Sequence, residues 1–160
     1  GGISITLNPE PLVDFIDAFL IGEGEEMIVE FFRRMKDAYA AGLDKVESLS
    51  SVQQSVEGVY CPRFYIVEYT EDQTIRRMQP EKDLFPARIK RRWMADINAF
   101  TTDQVMATTD TEFGEMFVTE ISRGCGRGCR FCAAGFVYRP VRYRTLDTLL
   151  PSLKIGRAHV

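Results

Sequence analysis

Glu120-Ile121-Ser122-Arg123-Gly124-Cys125-Gly126-Arg127-Gly128-Cys129-Arg130-Phe131-Cys132-Ala133-Ala134-Gly135 is the stretch on which the reading of this chain turns. It sets three cysteines at the spacing C-x3-C-x2-C inside a glycine-rich loop. The apolar run that leads into it, Phe113 to Ser122 with Met116, Phe117, Val118 and Ile121, reads as a strand. Disulfide frameworks of short secreted chains spread an even number of cysteines along the sequence, whereas a tight triplet points to metal. A closed structural zinc site takes four protein ligands. Here three thiols cluster, and His159 is the sole histidine of the chain. Three thiolates on a four-iron cube leave one iron with an open position, which is what a metal site needs to act on a bound molecule. Gly124, Gly126, Gly128 and Gly135 would let the backbone wrap a bulky cluster and aim N–H groups at its sulfurs.

The charge around the loop agrees. Between Ile121 and Leu146 stand six arginines (Arg123, Arg127, Arg130, Arg139, Arg142, Arg144) and no acid. Fixed cations offset the negative charge of a thiolate-ligated cluster and of a carboxylate ligand. A solvated basic loop, or one that binds RNA phosphates, is the competing reading.

Upstream, the pattern is that of an open α/β domain. Ile3 to Leu7 alternates like a strand, and Pro11 opens a short helix to about Ile16. Ala18 to Ile21 reads as a buried parallel strand. A helix follows from about Glu25 to Ala41, with Ile28, Phe31, Phe32, Met35 and Tyr39 on one face and Gly42 as its stop. Asp44 to Glu57 reads as a short helix and a loop. Val59 to Tyr69 and Thr74 to Met78 read as a hairpin, with Phe64, Tyr65, Tyr69 and Trp93 as core or sheet-face residues. Ala87 to Phe100 reads as an edge strand kept soluble by Arg88, Lys90, Arg91 and Arg92. Leu146 to Leu153 begins a helix. Gly22-Glu23-Gly24 precedes a helix, but its glutamate would repel an anion there, so a plain turn is preferred to a phosphate loop. Cys61, set apart from the triplet, reads as a small buried hydrophobe.

Bulk properties exclude several classes. The net charge is −3, from 20 basic and 23 acidic residues, so no overall basic field argues for nucleic acid. No stretch approaches a membrane span, and a cytoplasmic location is the default expectation. Both ends read as cut. Ile155 to Val160 matches the translation of a sequencing adapter and is set aside as a non-native tail.

The triplet resembles the cluster motif of the radical S-adenosylmethionine (SAM) superfamily, in which the residue before the third cysteine is aromatic, here Phe131. The segments Asn8-Pro9-Glu10-Pro11, Asp17 to Glu26 and Gly58 to Arg63, and the later Tyr138 to Arg144, are similar to the group of that superfamily with an N-terminal cobalamin-binding-like domain. The resemblance implies an α/β fold in three parts. Residues 1–42 would be the end of a Rossmann-like, cobalamin-binding-like domain. Residues 43–112 would be a mixed connector, and 113–154 the first strand and cluster loop of a partial TIM-type (β/α) barrel. It implies a 4Fe-4S cluster on Cys125, Cys129 and Cys132, SAM on the open iron, Phe131 near the adenine, and an electron donor such as a flavodoxin or ferredoxin. SAM cleavage would then give a 5′-deoxyadenosyl radical acting on an unknown substrate, RNA among the alternatives. The Asp-x-His-x-x-Gly segment that holds cobalamin in that group is expected upstream of Gly1, so cobalamin is not supported within these residues. No catalytic side chain is assigned, and the residues present are expected to be inactive alone. The alternative is a non-catalytic module holding zinc or a passive cluster.

Overall fold

Met27, Val52, Val59, Tyr60 and Cys61 are shut off from solvent and lie in one apolar cluster with Phe19, Leu49, Val56, Phe64 and Phe85. In the computed structural model, which describes residues 2–158 except 105–107, 109, 111, 113 and 115, this cluster is the core of the first of two units. The units are Gly1–Trp93 and Met94–Val160. Their boundary falls inside the stretch expected to be a connector.

In the first unit, α1 (Gly2–Leu7) is a helix, not the expected strand. The segment pairs with no strand among the described residues, and a helix satisfies its backbone hydrogen bonds locally. A 3₁₀ turn at Glu10–Leu12 replaces the short helix expected to reach Ile16. Next, β1 (Phe19–Leu20) pairs antiparallel with β2 (Val59–Tyr60), with Phe19 opposite Tyr60. The buried run at Ala18–Ile21 was expected in a parallel sheet; a run of this length does not by itself say which way its partner points.

Helix α2 (Gly24–Ala40) forms where expected. Its end is a Schellman closure: Gly42, at φ +84°, donates to Tyr39 O (3.0 Å) and Leu43 donates to Ala38 O (3.1 Å). The face it buries is rotated from the expected one. Met27 and Ala38 are buried and Phe31 and Met35 pack on the core, while Ile28, Phe32 and Tyr39 are exposed. Helix α3 (Lys45–Ser55) packs against α2 and starts with a reciprocal cap. Glu47 N donates to Asp44 Oδ1 (2.8 Å), and Asp44 N donates to Glu47 Oε2 (3.0 Å). Its buried Gln53 accepts from Cys61 N (2.6 Å) and donates to Tyr65 Oη (2.9 Å), so a polar side chain crosses the core with its partners satisfied.

Pro62, which has no N–H to give a ladder, starts a 3₁₀ turn that interrupts the long strand expected over 59–69. The expected hairpin follows as β3 (Tyr65–Tyr69) and β4 (Ile75–Pro80), with a register shift between Glu68 and Tyr69. Phe64 and Tyr65 are core residues as expected, but Tyr69 and Trp93 are about half exposed.

The basic stretch 88–92 is not a free edge strand. Arg92 bridges Gly22: Arg92 N donates to Ile21 O (3.0 Å) and Glu23 N donates to Arg92 O (3.0 Å). Gly22 has φ +128°, and a Cβ there would lie 2.0 Å from Arg92 O, so only glycine fits. The Arg92 guanidinium pairs with Glu30 and lies 3.6 Å from Glu26, and Arg91 lies 3.7 Å from the buried Glu23. The acidic turn is therefore occupied by arginines of its own unit.

In the second unit, a 3₁₀ turn at Ile97–Ala99 is capped by Asp96, which accepts from Asn98 N (2.9 Å). Strand β5 (Ser122–Arg123) pairs antiparallel with β6 (Arg142–Tyr143). Helices α4 (Ala134–Val137) and α5 (Leu146–Ala158) follow. The strand expected over 113–122 is reduced to β5 and a bridge from Thr119 to Asp103; Phe113 and Glu115 lie outside the described residues. The class is mixed α/β, with three two-stranded antiparallel sheets and five α-helices among the described residues. No helix among them is long and apolar enough to cross a membrane.

Candidate metal centre

The cysteine loop leaves and re-enters the second unit through a narrow neck. Ser122 lies opposite Tyr143 and Arg123 opposite Arg142. Arg144 N donates to Ile121 O (3.0 Å), extending the pairing by one residue. At the neck, Gly124 has φ +94°, and a Cβ on it would sit 2.4 Å from Tyr138 O and 2.9 Å from Pro140 O. The outgoing and returning backbones thus pass each other with no room for a side chain. Gly128 also has a positive φ, +66°. Gly126 has open space around its would-be Cβ.

Cys125, Cys129 and Cys132 are free thiols of intermediate exposure. Arg127 N donates towards Cys125 Sγ at 3.4 Å, and Cys132 N donates to Cys129 O at 3.2 Å. Phe131 is 92% exposed. Among the described residues, no three His, Cys, Asp or Glu side chains already converge as a metal-ligand group. The donor chemistry nevertheless fits an iron–sulfur cluster: three free thiols on one short loop and a backbone N–H aimed at one sulfur. The thiols sit on one loop held at both ends, and would draw together around the metal.

Half of the six arginines are structural. Arg144 is buried and donates from Nη2 to Glu120 Oε2 (2.7 Å) and Thr102 Oγ1 (2.8 Å), and from Nη1 to Phe100 O (2.5 Å) and Ile97 O. Arg123 grips the same Glu120 carboxylate with two bonds, Nε to Oε1 (2.8 Å) and Nη2 to Oε2 (3.0 Å). Arg142, also buried, donates to Met94 O and to Pro140 O (3.0 Å). Burial alone would raise the Glu120 carboxyl, but the hydrogen bonds from Arg123 and Arg144 outweigh it and hold the group below the ordinary glutamate value. Arg139 stacks over the Phe136 ring at 4.6 Å, and Arg127 and Arg130 are exposed. Sequence reasoning missed Glu120 and Thr102. The signal available was that Glu120 stands immediately before the acid-free stretch, where it is the nearest anion to a row of arginines.

Cys61 is a different kind of thiol. It is fully buried, and burial first, then the nearby Asp17, pushes it up to about 12. The thiolate is the reactive species. We therefore expect a disulfide-exchange reagent, applied to the metal-free chain at neutral pH, to label three thiols quickly. The fourth should react at least about a hundredfold more slowly until denaturant is added, because a group with so high a pKa holds very little thiolate. Peptide mapping that found Cys61 among the fast thiols would contradict this assignment.

Residues 1–62 match the model of a family described as radical SAM proteins, N-terminal. Over 150 residues the chain is 29% identical to an uncharacterized protein of Methanocaldococcus jannaschii, an alignment covering 94% of this chain and 26% of that protein. The chain thus spans about a quarter of the length of this curated relative. No solved structure matches it. The family match ends well before Gly124, so it is an observation separate from the cysteine loop.

Proposed function

We propose that this chain is a member of the radical SAM superfamily, as its match to that family's N-terminal model supports, and that Cys125, Cys129 and Cys132 are the three protein ligands of a 4Fe-4S cluster that takes SAM on its remaining iron. The observation carrying this reading is the coincidence of two separate features in one chain: the family match over 1–62 and, outside it, a C-x3-C-x2-C loop of three free thiols. The chemistry such a cluster would supply, held by these three cysteines, is one-electron reductive cleavage of SAM to methionine and a 5′-deoxyadenosyl radical that would take a hydrogen atom from the substrate.

The chain's own part is to bind and orient. The three thiolates grip the cluster, and three ligands for four irons leave one position for the amino and carboxylate groups of SAM. Arg127 N–H, already directed at Cys125 Sγ, would donate to a ligating sulfur and so tune its electron density. Phe131, exposed beside Cys132, is free to cover the adenine. The exposed Arg127 and Arg130 leave cationic charge near the anionic cluster and the SAM carboxylate.

The finer architecture belongs to the same proposal. Residues 1–42 would close a Rossmann-like, cobalamin-binding-like domain, 43–112 would connect, and 113–154 would open a partial (β/α) barrel. The substrate contacts and the electron donor, a flavodoxin or ferredoxin, would then be engaged by the whole protein in the cytoplasm. Cobalamin has no assigned ligand in these residues.

Anaerobic reconstitution with iron and sulfide tests the reading. The expected result is a brown chain with about four irons and, after reduction, an electron paramagnetic resonance signal that changes on adding SAM. A colourless chain that takes up zinc in preference would instead establish a non-catalytic metal module.

A further inference from the structure

The neck of the cysteine loop is built from charge, and that construction has a use. Glu120 lies just before β5, and Arg144 lies just after β6. Their bond of 2.7 Å therefore joins the two ends of the segment 121–143 through side chains as well as through the strand pairing. Arg123 adds two further bonds to the same carboxylate, and Thr102 donates to it at 3.2 Å while accepting from Arg144. The Arg144 side chain is only 2% exposed and the Glu120 side chain 26%, so this junction is withdrawn from water, where a charge-assisted bond is strongest. Its lower edge is anchored by the Arg144 bonds to Ile97 O and Phe100 O. The thiols inside the loop, by contrast, are not gathered into a ligand group.

We propose that Glu120 and Arg144 are positioning residues for the three-thiol site: they lock the loop ends together so that Cys125, Cys129 and Cys132 can converge on a single centre. This rests on the reading that those cysteines act together as ligands. Bringing three side chains of an open segment to one point costs closure entropy, and a segment whose ends are already joined loses less on binding. Neither residue touches the metal. They act through the spacing of the residues that do.

Arsenite is a suitable probe, because trivalent arsenic takes three thiols with no change of oxidation state. Three As–S bonds form, the three hydroxyls of arsenous acid leave as water, and the thiols supply the protons. The metal-free full chain is expected to bind one arsenic, with an arsenic–thiolate ultraviolet band and protection of Cys125, Cys129 and Cys132, but not Cys61, from alkylation. Glu120→Gln should weaken that binding by about tenfold, the scale on which charge-assisted bonds and loop closure act. Glu120→Asp, which keeps the carboxylate, should recover part of the loss. The far-UV circular dichroism and the slow reaction of Cys61 should stay as in the wild type, which a general loss of structure would not allow. If Glu120→Gln fails to fold, Thr102→Val, which removes one acceptor from Arg144, takes its place and should weaken capture in the same direction. Capture by a folded Glu120→Gln chain with wild-type affinity overturns the proposal, as does a wild-type chain that protects no more than two of the three loop thiols. Failure of the proposed function looks different: arsenite behaves as described, yet the reconstituted chain carries no cluster that responds to SAM.

Discussion

Alanine at any one of Cys125, Cys129 or Cys132 is expected to take the iron content of the reconstituted chain from about four per chain to near zero. Cys61→Ala is expected to leave it where it was. The asymmetry follows from where the thiols stand. The loop thiols share one short segment and remain accessible, whereas Cys61 lies in the core of the other unit, with its Sγ 4.0 Å from Leu49 O and no exposure. A cube held by three thiolates has no spare protein ligand, and the sequence from Ile121 to Leu146 contains no histidine, aspartate or glutamate to stand in. Removing one ligand therefore leaves two irons without a protein bond, and sulfide and chelators then dismantle the rest. The Cys61→Ala chain should instead show a stability change, since a buried sulfur has been cut from a packed core. Iron analysis and the visible absorption of the reconstituted variants decide the matter. Equal iron loss in Cys61→Ala would refute the ligand assignment.

Gly124→Ala is expected to have the next largest effect, again on the site. Holding a non-glycine residue at φ +94° costs roughly 1–3 kcal/mol before any contact is considered. The added methyl group would also meet Tyr138 O at 2.4 Å and Pro140 O at 2.9 Å, both backbone atoms that cannot step aside singly. The neck must open to admit it. Cluster retention against a chelator should fall by about tenfold or more, at 1.4 kcal/mol per decade. Gly126→Ala supplies the internal control, because it lies in the same loop with nothing within 4 Å of the added Cβ. Equal retention by the two variants would mean that the close passage at Gly124 has no bearing on the site.

Much of the first unit could be read in advance, for reasons visible in particular residues. Helix α2 announced itself through its apolar period, its acidic first turn and Gly42. What the period could not say was which edge of a wide apolar stripe would face inward. Met27 and Ala38 were chosen by what packs around the helix, α3 and β1 among them, and not by the helix itself. The hairpin of β3 and β4 was legible from its β-branched and aromatic strands. Pairing direction was not, because β1 and β2 are too short to carry a signature of their partners. At Ile3–Leu7 a genuine alternation misled, since a strand pattern needs a neighbour to become a strand. In the site, the cysteine spacing stood out because few other uses require it. The arginines did not sort themselves, because a buried guanidinium and a solvated one are the same letter. Partners far along the chain, the carbonyls of Ile97 and Phe100 and the Thr102 hydroxyl, mark Arg144 as interior.

The bridge between Gly22 and Arg92 bears on how pieces of this protein could be passed between genes. The recognisable family stretch ends at residue 62, but the folded unit runs on to Trp93. Phe64, Tyr65 and Phe85 complete the core around Phe19 and Tyr60, and the Arg92 backbone closes over the turn at Gly22. A recombination break at the family boundary would sever Phe64, Tyr65 and Phe85 from the rest of that core. The inheritable module with a physical edge is therefore the longer one, and the shorter is only the part of it whose lettering is easiest to recognise.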